Sequence, residues 1–337
     1  MIRVAINGYG RIGRVAHRVI LEKHANEIDL VAINAGSSTD AKGWAYLLKY
    51  DTSYGTLNNE ISSDSKNLIV DGKKIPVLSE KDPSKLPWKD LNVDVVIEST
   101  GEFKEEEGLK AHLKAGAKAV VLSAPAKSES IPTSVISVNA KDYKGEDIIS
   151  NASCTTNCIT PIAKVMMDTF GIEKAMMTTI HGYTSDQRLQ DGGHKDLRRG
   201  RAAALNIVPT SSGATEAASK AIPELSGIFD GLAIRVPVPV GSLSDFTFVL
   251  KKSTTKEEIN GAFKKASEGE FKNIIQVTDD PIVSSDVVGN PHSAIVDLSL
   301  TQVVAGNLAK VIAWYDNEYG YANRLVEEVL LLNNKEA

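Results

Sequence analysis

The sequence predicts an α/β protein: an N-terminal doubly wound parallel sheet followed by an α+β domain. Three observations lead there. Over the first 150 residues, short β-branched runs alternate with helical segments, the rhythm of βαβ units. A glycine-rich turn directly follows the first of these runs, and after Ser150 the strands lengthen and the alternation is lost. The 337 residues fit two domains at about 150 residues each.

In chain order, the expected strands of the first part are 4–7, 30–34, 68–70, 75–78, 93–98, 119–122, 135–138 and 147–150. Several, such as Val-Asp-Val-Val-Ile at 93–97, are apolar at consecutive positions, as strands buried on both faces are. Helices are therefore expected on both sides of this sheet, the first over 14–23. A helix over 154–170, stopped by Gly171, opens the second part, and strands at 175–181, 231–238, 246–251 and 311–315 follow. Between them, 185–201 is rich in Gly, Asp, Arg and Lys without periodicity and reads as a long functional loop. A final helix over 319–332 puts Leu325, Val326, Val329, Leu330 and Leu332 on a broad apolar face, with Glu327 and Glu328 outward.

Composition narrows the function classes. Lys+Arg 38 against Asp+Glu 43 gives a net charge of −5, so there is no bulk positive field to recruit nucleic acid or anionic lipid. Hydrophobic and charged contents of 42% and 24% are those of a folded globular chain. No run approaches the roughly 18 apolar residues of a membrane helix. Met1-Ile2-Arg3-Val4-Ala5-Ile6 reads as a strand instead of a signal peptide, so no membrane partner and a cytoplasmic location are expected. Cys154 and Cys158 are the only cysteines, too few for a disulfide framework or a zinc site, and no metal is expected.

Gly8-Tyr9-Gly10-Arg11-Ile12-Gly13 has G-x-G-x-x-G spacing between a strand ending at Asn7 and a helix. Glycines there permit a tight turn and close approach of a pyrophosphate to a helix N-terminus, which points to a Rossmann-type dinucleotide binder, with a merely structural glycine turn as the other reading. The ribose-reading position follows at the end of the second strand, Asn34-Ala35-Gly36-Ser37-Ser38. No acid stands there. A carboxylate would repel a 2′-phosphate, so its absence admits NADP, with Ser37 and Ser38 as donors to that phosphate, and leaves NAD open as an equal or poorer ligand.

Cys154 follows a strand and lies in the first turn of a helix capped by Ser153, where the macrodipole favours thiolate. It is a candidate nucleophile; a small buried hydrophobe is the other reading, and the one kept for Cys158. His181 closes an apolar strand and is the candidate partner for thiolate chemistry, with a structural strand-end histidine as the other reading. His17, His24, His112, His194 and His292 lie on helices or loops and are expected to be solvated. Arg198, Arg199 and Arg201 in the loop, Arg235 within an apolar strand, and Ser212-Gly213 are candidate anion sites, with a salt bridge as the alternative for Arg235.

Five blocks, Asn7 to Arg14, Ser153-Cys154-Thr155-Thr156-Asn157-Cys158, His181-Gly182-Tyr183-Thr184, Arg235-Val236-Pro237 and Trp314-Tyr315-Asp316-Asn317-Glu318, resemble the phosphorylating glyceraldehyde-3-phosphate dehydrogenase family in order and spacing across nearly the whole chain. The resemblance implies a homotetramer. It implies a dinucleotide domain over 1–153 and 317–337, with a returning C-terminal helix, and a catalytic domain over 154–316. It also implies that Cys154 attacks the aldehyde of glyceraldehyde 3-phosphate, that His181 takes the hydroxyl proton and aids thiolate formation, and that inorganic phosphate opens the resulting thioester. By the same resemblance Thr184, Asp186 and Arg235 hold the substrate phosphate, and Ser153, Thr155, Ser212, Gly213 and either Arg198 or Arg199 hold inorganic phosphate. Arg11, Ile12, Thr100, Phe103 and Ser123 match cofactor contacts, and Asn317 matches the residue orienting the nicotinamide carboxamide.

Departures from the family pattern point to the cofactor. Ala35 stands where most NAD-using members have Asp, and Gly192-Gly193 where they have a bulky Leu-Pro pair; the family's loop reaches the neighbouring subunit's adenosine ribose there, and small residues accompany NADP use. Lys81 replaces a common Arg near the adenine, Ser212 a usual Thr, and Glu216 a usual Lys. Tyr9 for Phe and Gly182 for Ala are expected to be tolerated. Three rival readings are an erythrose-4-phosphate dehydrogenase, a cysteine hydrolase or acyl transferase using Cys154 and His181 without redox chemistry, and a cofactor-binding regulator without catalysis.

Overall fold

A computed structural model describes residues 1–333; positions 334–337 of the expected returning segment lie outside the described residues. The chain forms two compact units. One comprises 1–134, 142–152 and 322 onward, the other 135–141 and 153–321.

The first unit is built on β1 (Ile2–Asn7), α1 (Arg11–Lys23), β2 (Ile28–Asn34), α2 (Ala41–Lys49), a small ladder of β3 (Tyr50–Asp51) with β4 (Gly55–Thr56), and β5 (Ile61–Ser63), β6 (Asn67–Val70) and β7 (Lys73–Leu78). Then come β8 (Val95–Glu98), α3 (Glu106–Lys114), β9 (Ala119–Leu122) and β10 (Ile148–Ser150). The sheet runs β10-β9-β8-β1-β2-β7-β6-β5. It is parallel from β10 to β7 and antiparallel over β7-β6-β5. Val4, Ala5, Ile6, Val95, Val96, Ile97, Val120 and Val121 are at most 1% exposed, so the consecutive apolar runs mark strands covered on both faces.

Four expectations about elements and burial are corrected. Residues 135–138 form a turn instead of a strand: the Val138 N–H donates to the Val135 carbonyl at 3.0 Å and Ser137 has φ +64°, while Val135 and Val138 are buried as a strand's apolar residues would be. Helix α1 begins three residues early. His17 and His112 are fully buried, not solvated, the first because the Tyr9 hydroxyl reaches its Nδ1 at 2.6 Å. Finally, α7 (Tyr319–Asn333) buries Glu328 alongside Leu325, Val326, Val329 and Leu332, whereas Leu330 is half-buried.

In the second unit α4 (Cys154–Phe170) ends at Gly171, whose φ of +70° suits a residue without Cβ. The mixed sheet that follows contains β11 (Ile172–Gly182), β12 (Val208–Ser211), β13 (Phe229–Val236), β14 (Ser242–Leu250), β15 (Ile275–Thr278), β16 (Ala294–Asp297), β17 (Gln302–Val304) and β18 (Leu308–Tyr315). Its order is β12-β13-β11-β14-β18-β16-β15, with β17 beside β18. Helices α4, α5 (Ala214–Ala221) and α6 (Lys256–Glu268) cover one face. They bury Phe246, Phe248, Val311 and Ala313 in one core with Ile159, Ile162 and Phe263. On the other face Met176 is 67% and Leu232 43% exposed. Between β11 and β12 the chain forms the expected irregular loop. Among the described residues no helix is long and apolar enough to cross a membrane.

Candidate active site

Each unit carries a candidate site. In the first, β1 ends at Asn7 and α1 starts at Arg11, so Gly8, Tyr9 and Gly10 make the whole turn. Gly8 has φ +95°, and a Cβ there would stand 2.4 Å from the Thr100 nitrogen; a Cβ on Gly13 would stand 2.2 Å from the Gly8 carbonyl oxygen. Only glycine permits this approach. Gly10 has open space around it and brings no side chain to cap α1, so the helix N-terminus is available to an anion. These features fit the pyrophosphate of a dinucleotide.

The turn borders a cleft of about 560 Å³. Asn34, Ala35, Ser37 and Ser38 line it from the end of β2, Lys81 from the loop after β7, and Thr100 and Phe103 from the loop after β8. Arg11, Ile12 and Ser123 are not in this lining. The Arg11 guanidinium is engaged by Asp51, at 3.0 Å for Nη2, and lies over the Tyr54 ring; the Ser123 N–H donates to the Glu98 carbonyl at 2.8 Å. What Arg11 and Ile12 offer a cofactor is the backbone that opens α1. The lining also includes Trp44, Glu80 and Glu102, which sequence reasoning missed; the Ser-Glu-Lys run just beyond β7 was the available signal for Glu80. That carboxylate accepts the Asp82 N–H at 2.9 Å.

In the second unit Ser153 caps α4, its Oγ accepting the Thr156 N–H at 3.0 Å, and Cys154 is the first helical residue. His181 lies near the end of β11, and parallel pairing of β11 with β13 sets Arg235 directly beside it. The Cys154 Sγ is 3.4 Å from His181 Nε2. The Tyr315 ring meets the imidazole edge-on, 5.9 Å between centroids, and its hydroxyl is shared by Thr155 Oγ1 at 3.0 Å and Thr179 Oγ1 at 2.8 Å. Thr155 is thereby fixed one residue after the thiol.

Burial here opposes the helix-dipole expectation. Burial pushes the Cys154 thiol above its ordinary value, and the Arg235 guanidinium offsets this only in part. Burial, with Arg235 adding to it, lowers His181 to about 3. Both shifts favour a thiol facing a neutral imidazole over an ion pair. His181 Nδ1 lies 2.6 Å from both Arg235 Nη1 and the Gly182 carbonyl oxygen. A guanidinium can only donate, which calls for a lone pair on Nδ1 and a proton on Nε2; the carbonyl can only accept, which calls for the reverse. Arg235 and Gly182 thus favour opposite tautomers of the same ring.

The loop after β11 holds the other candidate anion ligands. Asp186 accepts from Arg199 Nη1 at 2.6 Å, while Arg199 Nε donates to Thr210 Oγ1 at 2.8 Å and Nη2 to the Ser211 carbonyl at 3.3 Å. Burial would raise Asp186, but Arg199 and His194 hold its carboxyl below the usual range. Arg198 is exposed and borders a separate cavity with Thr210, Ser211 and Leu232. Thr184 donates its N–H to Gln187 Oε1 at 3.4 Å. Ser212 Oγ accepts the Ala214 N–H at 3.2 Å, and Gly213 is the N-cap of α5 without a side-chain cap. Glu216, unexplained by sequence, lies in the first turn of α5, where a carboxylate favours the helix dipole. Asn317 is buried, its Oδ1 accepting from the Gly241 N–H at 3.1 Å and Ser242 Oγ at 2.8 Å. A Cβ added at Gly192 or Gly193 would meet no atom closer than 3.7 Å among the described residues, so their smallness is not required within the protomer.

Two family models and several curated relatives match the chain. Residues 2–106 match the model of the glyceraldehyde 3-phosphate dehydrogenase NAD binding domain, and residues 153–317 that of the glyceraldehyde 3-phosphate dehydrogenase C-terminal domain. The glyceraldehyde-3-phosphate dehydrogenase 2 of Streptomyces avermitilis is 50% identical over 336 residues, 99% of both chains. The glyceraldehyde-3-phosphate dehydrogenase of Streptomyces coelicolor is 51% identical over 337 residues, again 99% of both, and that of Mycobacterium avium 53% identical over 337 residues, 98% of both. With two family models covering most of its length and relatives of this identity spanning nearly all of it, the chain belongs to the glyceraldehyde-3-phosphate dehydrogenase family, a family of NAD(P)-dependent oxidoreductases.

Proposed function

We propose that the protein oxidises D-glyceraldehyde 3-phosphate to 1,3-bisphosphoglycerate, reversibly and with phosphorylation, using NADP in preference to or alongside NAD. The observation that carries the reaction is the Cys154 Sγ 3.4 Å from His181 Nε2, with Arg235 on the far nitrogen of the same ring. Domains of 1–153 with 317–337 and of 154–316 divide the work between dinucleotide binding and chemistry.

Arg235, with Thr184 and Asp186, binds the substrate phosphate. Drawing the guanidinium onto that phosphate leaves Nδ1–H donating to the Gly182 carbonyl, which turns the Nε2 lone pair toward Cys154. The thiol then passes its proton to His181 as sulfur attacks the aldehyde carbon, so the resting thiol need not ionise beforehand. His181 returns that proton to the alkoxide so formed, and the resulting thiohemiacetal hydroxyl gives it back to His181 as the C–H bond breaks. When bound, the nicotinamide supplies the hydride acceptor, with Asn317 orienting its carboxamide. Inorganic phosphate, held by Ser153, Thr155, Ser212, Gly213 and Arg199, attacks the thioester carbonyl, and Cys154 leaves and is reprotonated. Arg199 is preferred to Arg198 because its guanidinium joins Asp186 to Ser211, next to Ser212.

NADP use is supported by the neutral end of β2 at Ala35, Ser37 and Ser38, by Lys81 in the same cleft, and by Gly192 and Gly193. The cytoplasmic homotetramer implied by the family resemblance calls for apolar surface to bury between copies, and exposed apolar residues offer it: Met176 and Leu232 on the open sheet face, and Leu189, Leu197, Leu205 and Ile207 on the long loop, these four 70–85% exposed. Initial rates with glyceraldehyde 3-phosphate and phosphate, titrating NADP and NAD in parallel, test the reading. A higher kcat/KM for NADP upholds it, a strong NAD preference removes the cofactor assignment, and no rate with either removes the substrate. Turnover that persists without phosphate would favour oxidation of erythrose 4-phosphate instead.

A further inference from the structure

Beneath the dinucleotide cleft lies a buried polar chain to which the reaction assigns no task. Glu98, the last residue of β8, is 0% exposed, and so is His112 on α3. The Trp88 indole N–H donates to His112 Nδ1 at 3.0 Å and its ring stacks on the imidazole at 27°. An indole nitrogen can only donate, so Nδ1 carries the lone pair and Nε2 the proton, and that N–H lies 3.0 Å from Glu98 Oε2. Trp88 thereby selects the tautomer in which His112 donates to the carboxylate.

The other donors to Glu98 come from the cleft. Asn7 Nδ2, at the end of β1, also reaches Oε2, while the Thr100 N–H, at 2.8 Å, and the Thr100 hydroxyl reach Oε1. Asn7 Oδ1 in turn accepts from Asn34 Nδ2 at 2.6 Å, and Asn34 bonds the Glu80 carbonyl and N–H at 2.8 and 2.9 Å. One carboxylate therefore ties together the ends of β1, β2 and β8 and the loop after β7, all of which border the cleft. The Thr100 nitrogen it holds is the atom 2.4 Å from where a Gly8 Cβ would be, so the height of the phosphate-binding turn is set by the segment Glu98 anchors. A carboxylate that accepts four donors and meets no Lys or Arg among the described residues is an expensive group to bury; a neutral core would be cheaper if stability were all it served.

We propose that Glu98 and His112 are positioning residues for the dinucleotide: the tautomer of His112, fixed by Trp88, sets the Glu98 carboxylate, which holds Thr100 and Asn7 at the spacing the cofactor requires. The inference rests on the cofactor reading of this cleft. Neither side chain lines the cleft, so the effect falls on binding and not on the chemical step.

The test measures dissociation constants for NADP and NAD by calorimetry, together with KM, kcat and melting temperature, on the full-length wild type, Glu98→Gln, His112→Gln and His112→Leu. Gln at 98 replaces one acceptor oxygen by a donor, and at 112 it retains a donor near Nε2, whereas Leu has none. Expected are dinucleotide affinity about tenfold or more weaker in Glu98→Gln and His112→Leu, kcat within about threefold of wild type, and affinity near wild type in His112→Gln. If Glu98→Gln does not fold, the two His112 variants decide. Melting temperatures that fall while the dissociation constants hold within about twofold would overturn the positioning role and leave a structural one. A wild type that binds neither dinucleotide would overturn the cofactor reading, and this inference with it.

Discussion

Glu328 gives the second half of α7 a pH dependence that can be measured. The residue is 0% exposed; its Oε2 accepts from Ser134 Oγ at 3.1 Å and its Oε1 has no hydrogen-bond partner among the described residues. Burial, reinforced by the neighbouring Glu327 charge and opposed by Ser134 and Arg324, raises its pKa from 4.5 to about 8. Between those values the folded helix keeps a proton that the exposed side chain has lost, so stability falls as pH rises across that window and is greatest below it. At about 1.4 kcal/mol per pH unit, the interval amounts to roughly 5 kcal/mol at most. Glu328→Gln removes the titration, although the buried amide leaves an unpaired N–H at a cost of about 1–3 kcal/mol that does not vary with pH. Hydrogen exchange of the α7 amides from pH 5 to 9, corrected for intrinsic rates, reads the opening free energy directly. The wild type is expected to lose protection toward pH 8 and the variant to have a flat profile displaced by a constant. Equal slopes in the two proteins would refute the assignment.

Three further outcomes are expected at the sites. Cys154→Ser lowers kcat by about 10³ or more and leaves dinucleotide affinity intact; steady-state kinetics and calorimetry on one preparation check both halves. The kcat/KM profile is level through the ordinary histidine range, since His181 is neutral down to about 3 and the thiol gives up its proton only during attack, and it bends at the elevated Cys154 thiol. Arg235→Leu, which removes the cation holding the thiol down, moves that inflection to higher pH, and an inflection that stays in place contradicts the electrostatic account. Ala35→Asp sets a carboxylate at the end of β2 and lowers the NADP to NAD ratio of kcat/KM by about tenfold or more; an unchanged ratio would put cofactor choice elsewhere.

Much of this was legible in the chain. Alternating apolar runs located the parallel strands, Gly8, Gly10 and Gly13 located the dinucleotide turn, and the Ser153 cap with Gly171 bounded α4 at both ends. What sequence could not show was burial of polar groups. His17, His112, Glu98 and Glu328 lie inside the molecule because a particular partner, respectively Tyr9, Trp88, Thr100 and Ser134, meets them across distances of 8 to 194 residues or at a turn; the three on helices are expected from sequence to face solvent, and Glu98 at a strand end carries no signal of a partner. The stretch 135–138 misled for the opposite reason: its apolar residues are buried, but Ser137 in the left-handed region breaks the strand. The sign of the Cys154 shift was hidden as well, since a helix dipole is local and readable whereas desolvation depends on the whole surrounding fold.

That α7 closes the first unit orders the events of synthesis. Leu325, Val326, Val329 and Leu332 belong to a unit whose other residues lie before 153, so its core stays open at one side until the final helix has left the ribosome. The second unit, which lies almost wholly between, is finished earlier. At about 5–20 residues per second, the nascent dinucleotide fold waits many seconds for its last helix, with the completed second unit as the closed loop between its halves. Chaperone protection is most needed during that interval, and shortening the chain by the length of α7 would prolong it indefinitely.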